Sequence, residues 1–444
     1  MRLVGSIINR RDRGLEETHV FNRFANVLLS AAVLIGIGVT AALAQTPEGK
    51  KPEWKDGQAE YSLYDAANKA TDPAKRLAAL DAWKAKYPES DFKDMRLASY
   101  LATYQQLNQP AKMAEVAKEI MAKDPKDIRA LLTLTQVTPA LPPTPDSLDT
   151  GAKAAQGLLD APKPATVPDE DTWKKMKAAT AYSTLAFIDM QKKQPEAAEE
   201  EYKKWLAVDP TNAFASYSLG NTILGEKKVE RYPEMLYHWA RAASLTGPGA
   251  LPEQMRQKAD ATLIKAYNTF HGPDEAGLKD LRTLAVTQPM PAAGFKILDK
   301  NEIAAANQAK FAADNPQLAL WKNIKDQLTA ANGEQYFNDQ LKGTAPPKLK
   351  GKLVSTTPAI RPKQLVLDLD GGDTPEVTLK LETPMPGKAD KGTEIQFQGV
   401  PSAFTKDPFM LTFDVDSKDK IQGWPKQAAA PPAKKRVVPR KKTQ

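Results

Sequence analysis

The sequence predicts a mainly α protein: an α-solenoid of helix pairs followed by a small antiparallel β-barrel or sandwich. Three observations carry that expectation. The phrase QPAKMAEVAKEIMAKDP at 109–125 returns as QPEAAEEEYKKWLAVDP at 194–210. Looser copies surround it, each a proline, a helical stretch and a second proline. Beyond residue 344 the apolar spacing changes from three or four residues to two, the period of a strand with one buried face.

The elements follow in chain order. Residues 1–44 read as an export signal, with Arg10, Arg11, Arg13 and Arg23 ahead of an apolar run over 27–44 that ends in Ala42, Leu43 and Ala44. Retained, the same run is long enough to anchor the chain in the inner membrane. Either way the body is expected outside the cytoplasmic membrane, in the periplasm or outer cell envelope. After a linker at 45–56, residues 57–341 form the helical region. Pro73, Pro110, Pro145, Pro195, Pro233 and Pro273 each open a second helix of a pair. Proline suits the first turn of a helix, and a later proline forbids its continuation. First helices are predicted at 96–107, 176–191, 213–224 and 254–270, whereas 138–145 and 162–168 read as loops. Residues 298–341 stay helical and are expected to cap the array.

The β module spans 342–425. Strands are predicted at 349–355, 365–369, 377–381, 394–399 and 409–415, with a hairpin turn at Asp370, Gly371, Gly372 and Asp373. Phe397, Phe409 and Phe413 alternate as core residues would. Two acidic runs (Asp368, Asp370, Asp373 and Asp414, Asp416, Asp419) lack the glycine and distal glutamate of a calcium loop and read as solvated strand faces. The tail at 426–444 has seven basic residues, no acidic ones and no packable face, so disorder is expected.

Composition narrows function. With no cysteine there is no disulfide, thiolate metal site or cysteine nucleophile, and a count of three histidines argues against a histidine-based catalytic or metal cluster. The formal charge of +8 is terminal: residues 45–425 hold 50 basic and 51 acidic side chains, which argues against a nucleic-acid groove. No phosphate loop, paired catalytic carboxylates or nucleophile motif is present, so no catalytic residue, cofactor or metal ligand is assigned.

Tyr182, Leu185, Ala186, Ala198, Tyr202 and Pro210, then Ser216, Leu219, Gly220 and Ala242, resemble the tetratricopeptide repeat pattern, most strongly over 173–248. Trp205 departs from it, at a position usually kept small. The resemblance implies a concave groove lined by the first helices, here by Ser183, Phe187, Met190, Tyr217, Asn221 and Leu224. Tyr217 stands where a carboxylate clamp would place lysine, so the groove is expected to be apolar or aromatic. LKGKLVS at 349–355 and GTEIQFQG at 392–399 resemble OB-type barrels, although the helix usual between the third and fourth strands is replaced at 384–387. The implied function is that of an exported, non-enzymatic scaffold that binds a protein segment, with no nucleic acid. The alternative is an envelope carbohydrate- or polyanion-binding protein acting through the β module and through Lys434, Lys435, Arg436, Arg440, Lys441 and Lys442, which would also suit anionic lipid.

Overall fold

The computed structural model describes residues 51–426, which divide after Asp299 into two units. The first unit holds six helix pairs. They are α1 (Gln58–Lys69) with α2 (Pro73–Lys86), α3 (Lys93–Gln106) with α4 (Pro110–Lys123), and α5 (Ile128–Val137) with α6 (Pro145–Asp160). Then come α7 (Glu170–Gln191) with α8 (Pro195–Val208), α9 (Ala213–Glu226) with α10 (Tyr232–Ser244), and α11 (Glu253–Phe270) with α12 (Glu275–Thr287). From α1 to α11 each helix packs on the next in the chain, and α12 returns onto α10. This nearest-neighbour pattern is what a repeat array requires.

The duplicated phrase encodes two turns rather than a helix alone. Asn108 and Lys193 take left-handed φ angles of 52° and 60°. The next N–H donates five residues back, Gln109 to the Tyr104 carbonyl and Gln194 to the Asp189 carbonyl, each at 2.9 Å. That is a Schellman ending, after which Pro110 or Pro195 starts the second helix without wasting an N–H. At the far end, Asp127 and Asn212 donate their N–H groups to the Asp124 and Asp209 carbonyls at 3.1 Å. Their side chains then cap α5 and α9, accepting from the Ala130 and Ala215 N–H groups at 3.0 and 2.9 Å.

Two apolar cores run through the unit. Leu80, Trp83, Leu97, Leu134 and Leu158 lie in one, and Tyr202, Trp205, Leu219, Leu236 and Trp239 in the other. Helix α7 serves both, giving Trp173 and Ala181 to the first and Ala178 and Ala186 to the second. Trp205, the departure from the repeat pattern, is fully buried. Two buried arginines staple helix ends that prolines leave with open carbonyls. Arg96 donates to the Tyr87 and Pro88 carbonyls at 2.7 and 2.9 Å. Arg241 donates to those of Ala285 and Gln288 at 2.6 Å each, and to that of Pro210. At the start of the unit Trp54 stacks on Phe92 with ring centroids 3.7 Å apart, so the end of the predicted linker is packed.

The second unit begins with α13 (Lys300–Asp314) and α14 (Pro316–Thr329), then a short α15 (Gly333–Tyr336) that runs on as a π-helical turn, Phe337–Leu341. Seven strands follow: β1 (Leu349–Thr357), β2 (Gln364–Asp368), β3 (Val377–Leu381), β4 (Glu394–Phe397), β5 (Val400–Lys406), β6 (Phe409–Val415) and β7 (Ile421–Gln422). The helical stretch to residue 341, expected to cap the array, is put to a different use: Trp321, Ile324, Leu328, Phe337 and Leu341 share a core with the strands.

The sheet order is β5-β6-β3-β2-β1-β4-β7. It is mixed rather than all antiparallel, because β3 and β6 run parallel. Only Gln398 and Gly399 separate β4, which pairs with β1, from β5, which pairs with β6. Phe397 and Val400 are therefore three residues apart, at most ~11 Å, so the sheet must curl into a barrel to bring β4 and β5, near opposite ends of its order, together. Gly399 permits the bend, since a Cβ there would lie 3.0 Å from the Asp414 carbonyl oxygen.

The acidic run at 368–373 is corrected in one respect. Asp368 is not a solvated strand residue; it is buried and accepts from the Gly371 and Asp373 N–H groups at 2.9 and 2.8 Å, holding the hairpin turn. Phe397 and Phe413 are buried edge to face, with centroids 5.3 Å apart.

Candidate partner-binding face

Helices α7 and α9 are the first members of consecutive pairs, and each buries one side. On α7, Ala181, Thr184 and Ile188 are buried, while Ser183 and Phe187 are half-buried and Met190 is 42 % exposed. On α9, Ser216, Leu219 and Ile223 are buried, while Tyr217 and Leu224 are half-buried and Asn221 is exposed. In both helices the three predicted residues fall at spacings of four and three, hence on one face. Tyr182, Tyr217 and Leu224 lean on the same core, which sets the two faces beside one packed layer.

The polar members of the set are partly committed. Ser183 Oγ donates to the Thr180 carbonyl at 3.1 Å, so the hydroxyl is turned back onto its own helix. Asn221 Oδ1 accepts from Trp239 Nε1 at 3.0 Å, which leaves its amide N–H groups for a partner. What stays at least partly exposed beside the half-buried Phe187 is chiefly apolar: Met190, Tyr217 and Leu224.

Beside Leu224 lies a charge cluster that sequence reasoning missed. Arg231 donates to both oxygens of Glu199 at 2.6 and 2.9 Å and to Glu234 at 2.8 Å, and it pairs with Glu226 at 2.9 Å. Burial raises the Glu199 carboxyl above its ordinary value, and Glu226 beside it adds to the rise. Burial works the same way on Glu226, but hydrogen bonds with Glu199, Arg231 and Lys228 outweigh it and hold that carboxyl down to about 2. His238, fully buried, is held neutral with its pKa lowered to about 3, by burial first and then by the charge of Arg241. The ion pairs of Arg231 lock α8 to the α9–α10 turn.

Among the described residues no group of three or more histidine, aspartate or glutamate side chains could hold a metal ion. No helix among them is long and apolar enough to cross a membrane. The export signal expected at 1–44 and the polyanion contacts expected at Lys434, Lys435, Arg436, Arg440, Lys441 and Lys442 lie outside the described residues.

No protein-family model matches the chain, and no curated protein matches it. Solved structures do. A thermophilic TPR protein of Thermus thermophilus matches at 12 % identity and a TM-score of 0.27, over 47 % of this chain and 95 % of its own. Pseudomonas aeruginosa pilF matches at 13 % identity and a TM-score of 0.29, over 64 % of this chain and 95 % of its own. The chain is similar to these proteins. The repeat architecture rests on the six helix pairs, the Schellman turns that end α3 and α7, and the two shared cores.

Proposed function

We propose that the helical unit is a non-enzymatic scaffold that receives a segment of another protein across α7 and α9. The observation that carries this reading is the alignment of Phe187, Met190, Tyr217 and Leu224 on outward faces of two first helices whose opposite sides are buried. Apolar side chains set at helical spacing on a rigid layer suit an extended or helical segment with apolar anchors. The signal-like residues 1–44 support a place in the cell envelope, with the partner there too. Affinity capture from envelope extract tests the reading. A protein retained by the intact chain and lost with Phe187→Ala or Tyr217→Ala is the expected result; retention unchanged by both substitutions would refute it.

A further inference from the structure

The second unit contains a cleft of about 390 Å³ between α14 and the α15 segment. Asn323 and Gln327, one turn apart on α14, form one wall. Asn332 stands at the turn, and Gln335, Tyr336 and Gln340 form the other wall. Gly333 makes the cleft possible, because a Cβ at that position would collide with the Leu328 carbonyl. Both walls are anchored from behind, α14 by Trp321, Ile324 and Leu328 and the opposite side by Phe337 and Leu341, all buried in the barrel core. The Lys342 N–H donates to the Phe337 carbonyl at 2.8 Å and closes the π-helical turn, a feature concentrated at functional sites.

Five of the lining side chains are carboxamides, and the described hydrogen bonds give none of the five an intramolecular partner. The lining holds no lysine, arginine or histidine, so it does not suit an anion, and no aliphatic side chain, so it does not suit an apolar peptide anchor. A carboxamide presents two donors beside an acceptor, which matches neighbouring hydroxyls on a sugar ring. Asp339 adds an acceptor, and Tyr336, half-buried against the core, completes the lining. The volume falls within the range of small-ligand sites. We infer that this cleft binds a neutral carbohydrate, one or two sugar residues of a glycan. The inference is independent of the partner face on α7 and α9 and does not involve the basic tail.

The test is titration of the full chain with neutral tetrasaccharides (chitotetraose, cellotetraose and maltotetraose), with inorganic phosphate as the anionic probe. Binding of at least one tetrasaccharide is expected. Gln327→Ala and Gln340→Ala should each weaken it roughly three- to tenfold, the worth of one or two hydrogen bonds. Both residues are exposed, so thermal unfolding should not change, and circular dichroism checks this. Absence of binding by all three sugars, binding unaffected by both substitutions, or binding of phosphate alone would overturn the inference.

Discussion

Gly220 and Gly225 occupy the same helix, α9, and should respond to alanine with opposite signs. Alanine in a helix interior is favoured over glycine by about 1 kcal/mol when nothing else changes. At Gly225 nothing lies within 4 Å of an added Cβ, so Gly225→Ala should stabilise by up to that amount. At Gly220 the added Cβ would sit 2.7 Å from Trp239 Cδ1, 2.9 Å from its Nε1 and 3.3 Å from the Met235 carbonyl oxygen. Ordinary contact begins at 3.4 Å, so the indole must retreat by about 0.7 Å. Trp239 is 4 % exposed and is held by its bond to Asn221. Overpacking of this kind costs about 1–3 kcal/mol and a strained hydrogen bond about 1 kcal/mol. Set against the gain in propensity, Gly220→Ala should destabilise by about 1–3 kcal/mol. Urea unfolding followed by circular dichroism would read this as a lower midpoint at an unchanged slope. If Gly220→Ala proved as stable as the parent, α9 and α10 would not be packed as described.

Arg231→Met removes the cation from two buried carboxylates and should cost about 3–5 kcal/mol at neutral pH. Glu226, held down in the folded state, contributes stability above its unfolded pKa that is lost as pH falls toward about 2. Glu199, raised, works in the opposite direction and loses its contribution as pH rises. Without Arg231 both carboxylates should take up protons on folding, so the deficit at pH 7 should shrink by pH 4. An equal deficit at the two values, measured by urea midpoints, would contradict the assignment. In the second unit, Glu376→Ala strands the Trp321 indole N–H and the Leu369 and Asp370 N–H groups, which Glu376 accepts at 3.2, 3.2 and 3.1 Å. A loss of about 3–5 kcal/mol is expected in that unit's unfolding transition. Lys193→Gly relieves a left-handed residue of about 1–2 kcal/mol, partly offset by glycine's chain entropy of about 0.5–1 kcal/mol. A small rise in thermal midpoint should follow.

The features legible in the sequence are those whose cause is local. Pro110 and Pro195 start α4 and α8 through a backbone constraint contained in the residue itself. The alternation of Leu365 and Leu367, or of Leu411 and Phe413, likewise reports a buried face directly. Hidden features are those decided by a distant partner. The apolar stripe of Trp321, Ile324 and Leu328 would serve equally well against helices or strands, and the barrel rather than the array takes it. Arg96 and Arg241 look like solvated helix residues until the carbonyls they reach are in place. Asp368 reads as a surface acid because its two N–H donors come from a turn whose shape the sequence only hints at. The face of α7 and α9 was legible as spacing, but the bond between Asn221 and Trp239 was not.

Site-specific photocrosslinking in living cells tests the partner-binding face most directly. A p-benzoylphenylalanine placed at residue 187 or residue 217 should capture the same envelope protein. The same probe at residue 204, exposed on the second helix α8, should not. Equal capture from all three positions, or none from the first two, would contradict the assignment of this face.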